Sequence, residues 1–191
     1  LALGTVTVMD VDLALPAEAG GAWVVGRTYN ARQEVSSSHH ISAGPMGNNW
    51  ATSVPEIALY EVGGEDNSGD ILYLIGGADR YVEFKREQSG SDEFKSKNGA
   101  TGAFQYAAGA GSEPDTYTLF LPDGTKMVFF GFDADADPAE GQFWKRIDPS
   151  GNTAYVGHET TASSAITSGY DSGRRVTTAY DETDNDGRRY T

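Results

Sequence analysis

The chain alternates short hydrophobic and polar stretches, and nowhere does it hold a helical period over ten or more residues. From Gly4 to Leu15 the apolar positions run Val6, Val8 and, after one slip, Val11, Leu13 and Leu15. That is the period-2 pattern of a strand with a bulge near Met9-Asp10, stopped by Pro16. Ala22 to Tyr29 predicts a second strand with Trp23, Val25, Arg27 and Tyr29 on one face. Arg32 to Ala43 is polar and reads as a loop. Asn49–Ser53, Glu56–Val62, Asp70–Ile75, Arg80–Arg86 and Phe104–Tyr106 are further strand candidates. Gln88 to Gly102 is expected to be a polar stretch around Phe94. Thr116–Leu121 and Lys126–Phe132 give the clearest hairpin, because Pro122-Asp123-Gly124-Thr125 supplies a turn that tolerates positive φ. Trp144–Ile147 and Thr153–Val156 flank Asp148-Pro149-Ser150-Gly151-Asn152 in another strand-turn-strand unit. Strands and turns recur at roughly 8–12 residues, the spacing of all-β sandwiches, barrels and sheet arrays. The expected fold is therefore all-β, an antiparallel strand-turn array with little or no helix.

Composition sharpens this picture. Among 191 residues, 24 are glycine and 11% are aromatic, which suits short strands joined by tight turns. The formal net charge of −14 repels phosphate backbones and anionic membranes, so nucleic-acid binding is not expected. No cysteine is present, which excludes disulfides, thiolate zinc sites and a cysteine nucleophile. No segment approaches the ~20 apolar residues of a membrane helix, so no membrane insertion is expected. The chain begins Leu1-Ala2-Leu3 without Met and stops at Tyr190-Thr191 inside a repeat-like phrase. It is expected to be a piece of a longer polypeptide.

Several phrases recur in order. Arg27-Thr28-Tyr29-Asn30 is followed by Gly44-Pro45-Met46-Gly47-Asn48-Asn49-Trp50, then by Leu121-Pro122-Asp123-Gly124 and by Asp148-Pro149-Ser150-Gly151-Asn152. The tail carries Tyr170-Asp171-Ser172-Gly173-Arg174, echoed by Tyr180-Asp181 and Gly187-Arg188 with Glu182 to Asp186 inserted. Each position has a physical use. Tyr offers an aromatic face to a neighbouring hairpin, Asp accepts turn N–H groups, Gly supplies positive φ, and Arg starts the return strand.

This ordered series resembles the Rhs/YD-repeat proteins, with their R-x-Y-N strand, G-x-x-G…W turn, L-x-D-G hairpin, D-x-x-G-N turn and Y-D-x-x-G-R repeats. The resemblance covers most of the chain. The departures are the acidic insert at Glu182 to Asp186 and the loop at Asp133 to Gly141. It implies opening strands over residues 1–50, hairpins over 51–157 and the start of the repeats over 158–191, all in one continuous unit. It further implies a bacterial, secreted or cell-surface protein whose β shell encapsulates a carboxy-terminal effector, as in toxin delivery, or mediates cell contact. The partners would be the remainder of the polypeptide, the effector or a secretion machinery, with no catalysis and no cofactor in this segment.

The alternative from a different class is a stand-alone extracellular β module that binds calcium or carbohydrate. Asp133, Asp135 and Asp137 alternate as hard oxygen ligands do. However, Pro138 stands where an EF-hand needs Gly and Trp144 where it needs Glu. A solvated acidic loop is the competing reading. Glu182, Asp184 and Asp186 fit the first half of such a loop better. His39 and His40 are adjacent and lack a nearby third ligand, and His158-Glu159 is a lone pair. Ser36–Ser38 and Ser163-Ser164 have no G-x-S-x-G context. Arg27, Tyr29 and Trp50 could form a sugar platform, against the commoner role of aromatic packing. A glycan-cleaving enzyme needs two facing carboxylates, and no motif here pairs them.

Overall fold

A computed structural model describes residues 7–15, 23–30, 50–61, 68–76, 81–96, 102–110, 113–132, 140–156, 179–181 and 188–190. These residues contain strands and turns and no helix, so no helix among them is long and apolar enough to cross a membrane. Every strand pairing is antiparallel. The protein is all-β, an antiparallel array, as its hydrophobic pattern predicts.

The first sheet has three strands, β1 (Thr7–Leu15), β2 (Trp23–Asn30) and β3 (Trp50–Thr52), in that order. Its bulge lies between Val11 and Leu13, two residues beyond the Met9-Asp10 expectation. Asp12 is the extra residue, and Val11 beside it is 62% exposed. An apolar residue that turns outward at the bulge explains why alternation misplaced the slip.

Among the described residues the second sheet has eleven strands that follow one another in chain order. They are β4 (Glu56–Tyr60), β5 (Ile71–Ile75), β6 (Tyr81–Arg86), β7 (Glu93–Ser96), β8 (Ala103–Ala107), β9 (Thr116–Phe120), β10 (Lys126–Phe130), β11 (Phe143–Ile147), β12 (Thr153–Val156), β13 (Ala179–Asp181) and β14 (Arg188–Tyr190). Strand β7 falls inside the stretch expected to be polar. It reads Glu-Phe-Lys-Ser, alternately exposed and buried, and Phe94 is its one large apolar side chain. A single fully buried phenylalanine is enough to seat a four-residue strand between two neighbours.

Direct cross-strand partners share a face. One face carries Leu59, Leu72 and Phe84 in one row, and Phe94, Phe104 and Leu119 in the next. All six are 8% exposed or less. On the opposite face of β6 and β7, Lys85 faces Lys95, with Glu83 and Glu93 nearby, in contact with solvent.

The buried face is concave. Phe84 of β6 meets Phe104 of β8 edge to face at 4.8 Å between centroids, across the intervening β7. Phe94 of β7 reaches Tyr117 of β9 at 5.9 Å, and Phe104 reaches Phe129 of β10 at 5.7 Å. Strands two apart in a flat sheet lie about 9.5 Å from each other. Rings whose centroids meet at 4.8–5.9 Å lean inward from a curled sheet, and each such pair adds about 0.5–1.5 kcal/mol beyond its buried area. Phe143 of β11 continues this row of rings, 5.8 Å from Phe129.

Candidate functional site

The motif residues with described side chains gather mainly in two turns. Between β9 and β10, Asp123 Oδ1 accepts the Thr125 N–H at 2.9 Å, and Gly124 N donates to Leu121 O at 3.0 Å. Between β11 and β12, Asp148 Oδ1 accepts the N–H groups of Ser150 and Asn152 at 2.8 and 2.9 Å. Its Oδ2 accepts the Asn152 side-chain amide at 2.7 Å. Gly124 and Gly151 sit at φ 87° and 92°, where a side chain would be strained. Alternate hairpins of one sheet turn at the same end, so the two turns are neighbours. A Cβ built on Gly124 would lie 3.5 Å from the Pro149 ring.

Both carboxylates are held below the usual range. For Asp123 the main cause is the Thr125 backbone N–H, followed by the Thr125 side chain, with Arg146 helping by charge. For Asp148 it is first the Asn152 side chain, then the backbone N–H groups of Asn152, Ser150 and Gly151. Asp123 is exposed and Asp148 half-buried. Each carboxylate therefore acts as a local staple of its own turn.

The remaining motif residues fall elsewhere. Arg27 pairs with Thr52 and Tyr29 with Trp50 in the β2–β3 register, so the R-x-Y-N strand and the tryptophan that follows the G-x-x-G phrase in sequence are direct neighbours. Arg27 Nη2 also meets Asp10 Oδ2 at 3.3 Å in an exposed ion pair. Asn30 ends β2. Tyr180 and Asp181 lie in β13 and Arg188 opens β14, with Asp181 opposite Arg188 and Tyr180 opposite both Tyr155 and Arg189. Asp181 is thus a strand residue here rather than a turn residue. Gly44, Gly47, Tyr170, Asp171, Gly173, Arg174 and Gly187 lie outside the described residues. So do the calcium candidates Asp133, Asp135, Asp137, Glu182, Asp184 and Asp186, and the histidines His39, His40 and His158. Among the described residues no three His, Asp or Glu side chains come together as metal ligands.

Sequence reasoning missed one pair. Asp70 and Arg86 are 0% and 3% exposed at one end of the apolar face. Arg86 Nε lies 3.5 Å from Asp70 Oδ2, a charge contact at the limit of hydrogen bonding. Arg86 Nη1 donates to Ser91 O at 2.8 Å, and the guanidinium lies 4.6 Å from the Phe94 ring centroid. The backbones pair as well, with Arg86 N donating to Asp70 O at 2.9 Å. The signal was available: Val82, Phe84 and Arg86 share a period-2 face, so an arginine on the apolar side required a partner.

Comparison with known protein families, with characterised proteins and with solved structures finds no match to this chain.

Proposed function

We propose that this chain is a structural segment of a β shell, of the kind found in Rhs/YD-repeat proteins. It forms wall rather than active site. Its role is to enclose or present an effector carried elsewhere on the same polypeptide, or to make contact at a bacterial cell surface. The observation that carries this reading is the strand order. Eleven strands follow one another without a crossover, and the last hairpin added is the one bearing Tyr180-Asp181 and Arg188. Sheets that grow by one hairpin at a time suit walls. The abutting Asp-Gly and Asp-Pro-Ser-Gly-Asn turns support the reading, because they occur in the family's order and are self-contained.

The test is the intact mass of the native polypeptide, purified from its source. A mass several times 20.4 kDa is expected. A mass near 20.4 kDa would overturn the shell reading.

A further inference from the structure

The large sheet treats its two edges differently. Among the described residues, strand β14 has only β13 beside it, whereas β4 has β5 on one side and a short strap, residues 140–142, on the other. The strap joins β4 to β10. Ile57 N donates to Gly141 O at 2.7 Å, and Glu56 and Gln142 form an antiparallel bridge. Gln142 Nε2 donates to Glu56 Oε2 at 2.9 Å. On the far side, Phe130 N donates to Gln142 O at 3.0 Å and Gly141 N to Phe130 O at 3.2 Å. The strap thereby bridges β4 and β10.

The strap fits tightly. Gly141 is buried at φ 67°, and a Cβ there would lie 2.3 Å from Ile57 O and 3.0 Å from the Phe132 ring. Only glycine serves at this crossing. Backbone groups alternate along a strand, so the N–H groups of Ile57 and Leu59 both face away from β5, toward the strap side. Strand β4 reads Glu-Ile-Ala-Leu-Tyr, without proline, lysine or bulge. Those are the devices that usually protect an edge.

We propose that the strap is an edge guard, and that what it excludes is a second copy of this chain. With the strap open, β4 pairs antiparallel with β4 of another molecule. Centred on Ala58, that pairing sets Glu56 opposite Tyr60 and Ala58 opposite Ala58, so no like charges face each other. The Ile57 to Gly141 bond is already a strand-type pairing of this edge, made within one molecule.

The experiment uses the full chain with Gly141→Val, followed by light scattering and by amide hydrogen exchange at Ile57 and Leu59. In the parent protein the Ile57 amide is protected at every protein concentration. In dilute variant it exchanges about tenfold faster or more. In concentrated variant the mass doubles and the amide is protected again. Two results overturn the proposal. One is fast exchange at Ile57 with the mass of a single chain across about a hundredfold range of concentration. The other is exchange that does not change. If Gly141→Val does not fold, Gln142→Ala decides, since it removes only the side-chain bond to Glu56 and keeps the glycine. It is expected to speed Ile57 exchange and favour the dimer in the same direction, and unchanged exchange and mass in that variant overturn the proposal. Dimers formed at β14 would leave Ile57 exchange untouched, so the amide readout separates the two edges.

Discussion

Asp70→Ala tests the packing logic at its most exposed point. The substitution removes the carboxylate 3.5 Å from Arg86 and leaves a guanidinium that is 3% exposed. Arg86 keeps its bond to Ser91 O and its place over Phe94, but loses the carboxylate beside its Nε. Breaking a buried pair from one side costs about 3–5 kcal/mol. In a chain of this size that lowers Tm by roughly 6–20 °C. Replacing both partners with Asp70→Leu and Arg86→Met removes the two desolvation costs together, and is expected to fall within about 1–2 kcal/mol of the parent. Urea melts of the parent, of Asp70→Ala and of the double variant, followed by the fluorescence of the three tryptophans, measure the two costs. A loss below about 1 kcal/mol for Asp70→Ala, the value of a surface pair, would refute the reasoning.

Three further outcomes are expected. Asp123 and Asp148 have folded pKa values below their ordinary 3.8, so their contribution to stability is complete above that value and is lost as pH falls through the folded values. Asp123→Asn with Asp148→Asn should flatten the fall in stability below about pH 4, and an unchanged acid limb in urea melts would refute the staple role. The net charge of −14 implies self-repulsion, so Tm should rise between about 0.05 and 1 M sodium chloride as screening shortens to about 3 Å; a flat or falling Tm would count against it. Because Pro138 and Trp144 break the EF-hand pattern, Tm should be the same in calcium and in chelator. A rise with calcium would instead make the acidic loops a binding site.

What the sequence made legible was local. The Asp123-Gly124 and Asp148…Asn152 turns carry their own hydrogen-bond partners within four residues, so composition alone locates them. Strand β7 was illegible because Phe94 is its only large apolar residue, and its period cannot be read from one point. The bulge was misplaced because Val11 looks like a core residue and is exposed. The curl and the strap depend on contacts far apart in the chain, such as Glu56 with Gln142 at a separation of 86 residues, and no local pattern encodes them. Asp70 and Arg86 are intermediate: the period marks the arginine, but its partner is chosen by the pairing of β5 with β6.

Electron microscopy of the native polypeptide tests the central claim most directly. The account predicts a hollow shell in which this eleven-stranded sheet is one stretch of wall, continued beyond β14 by further hairpins. A sheet that ends at β14 with solvent on both sides of it would contradict the account.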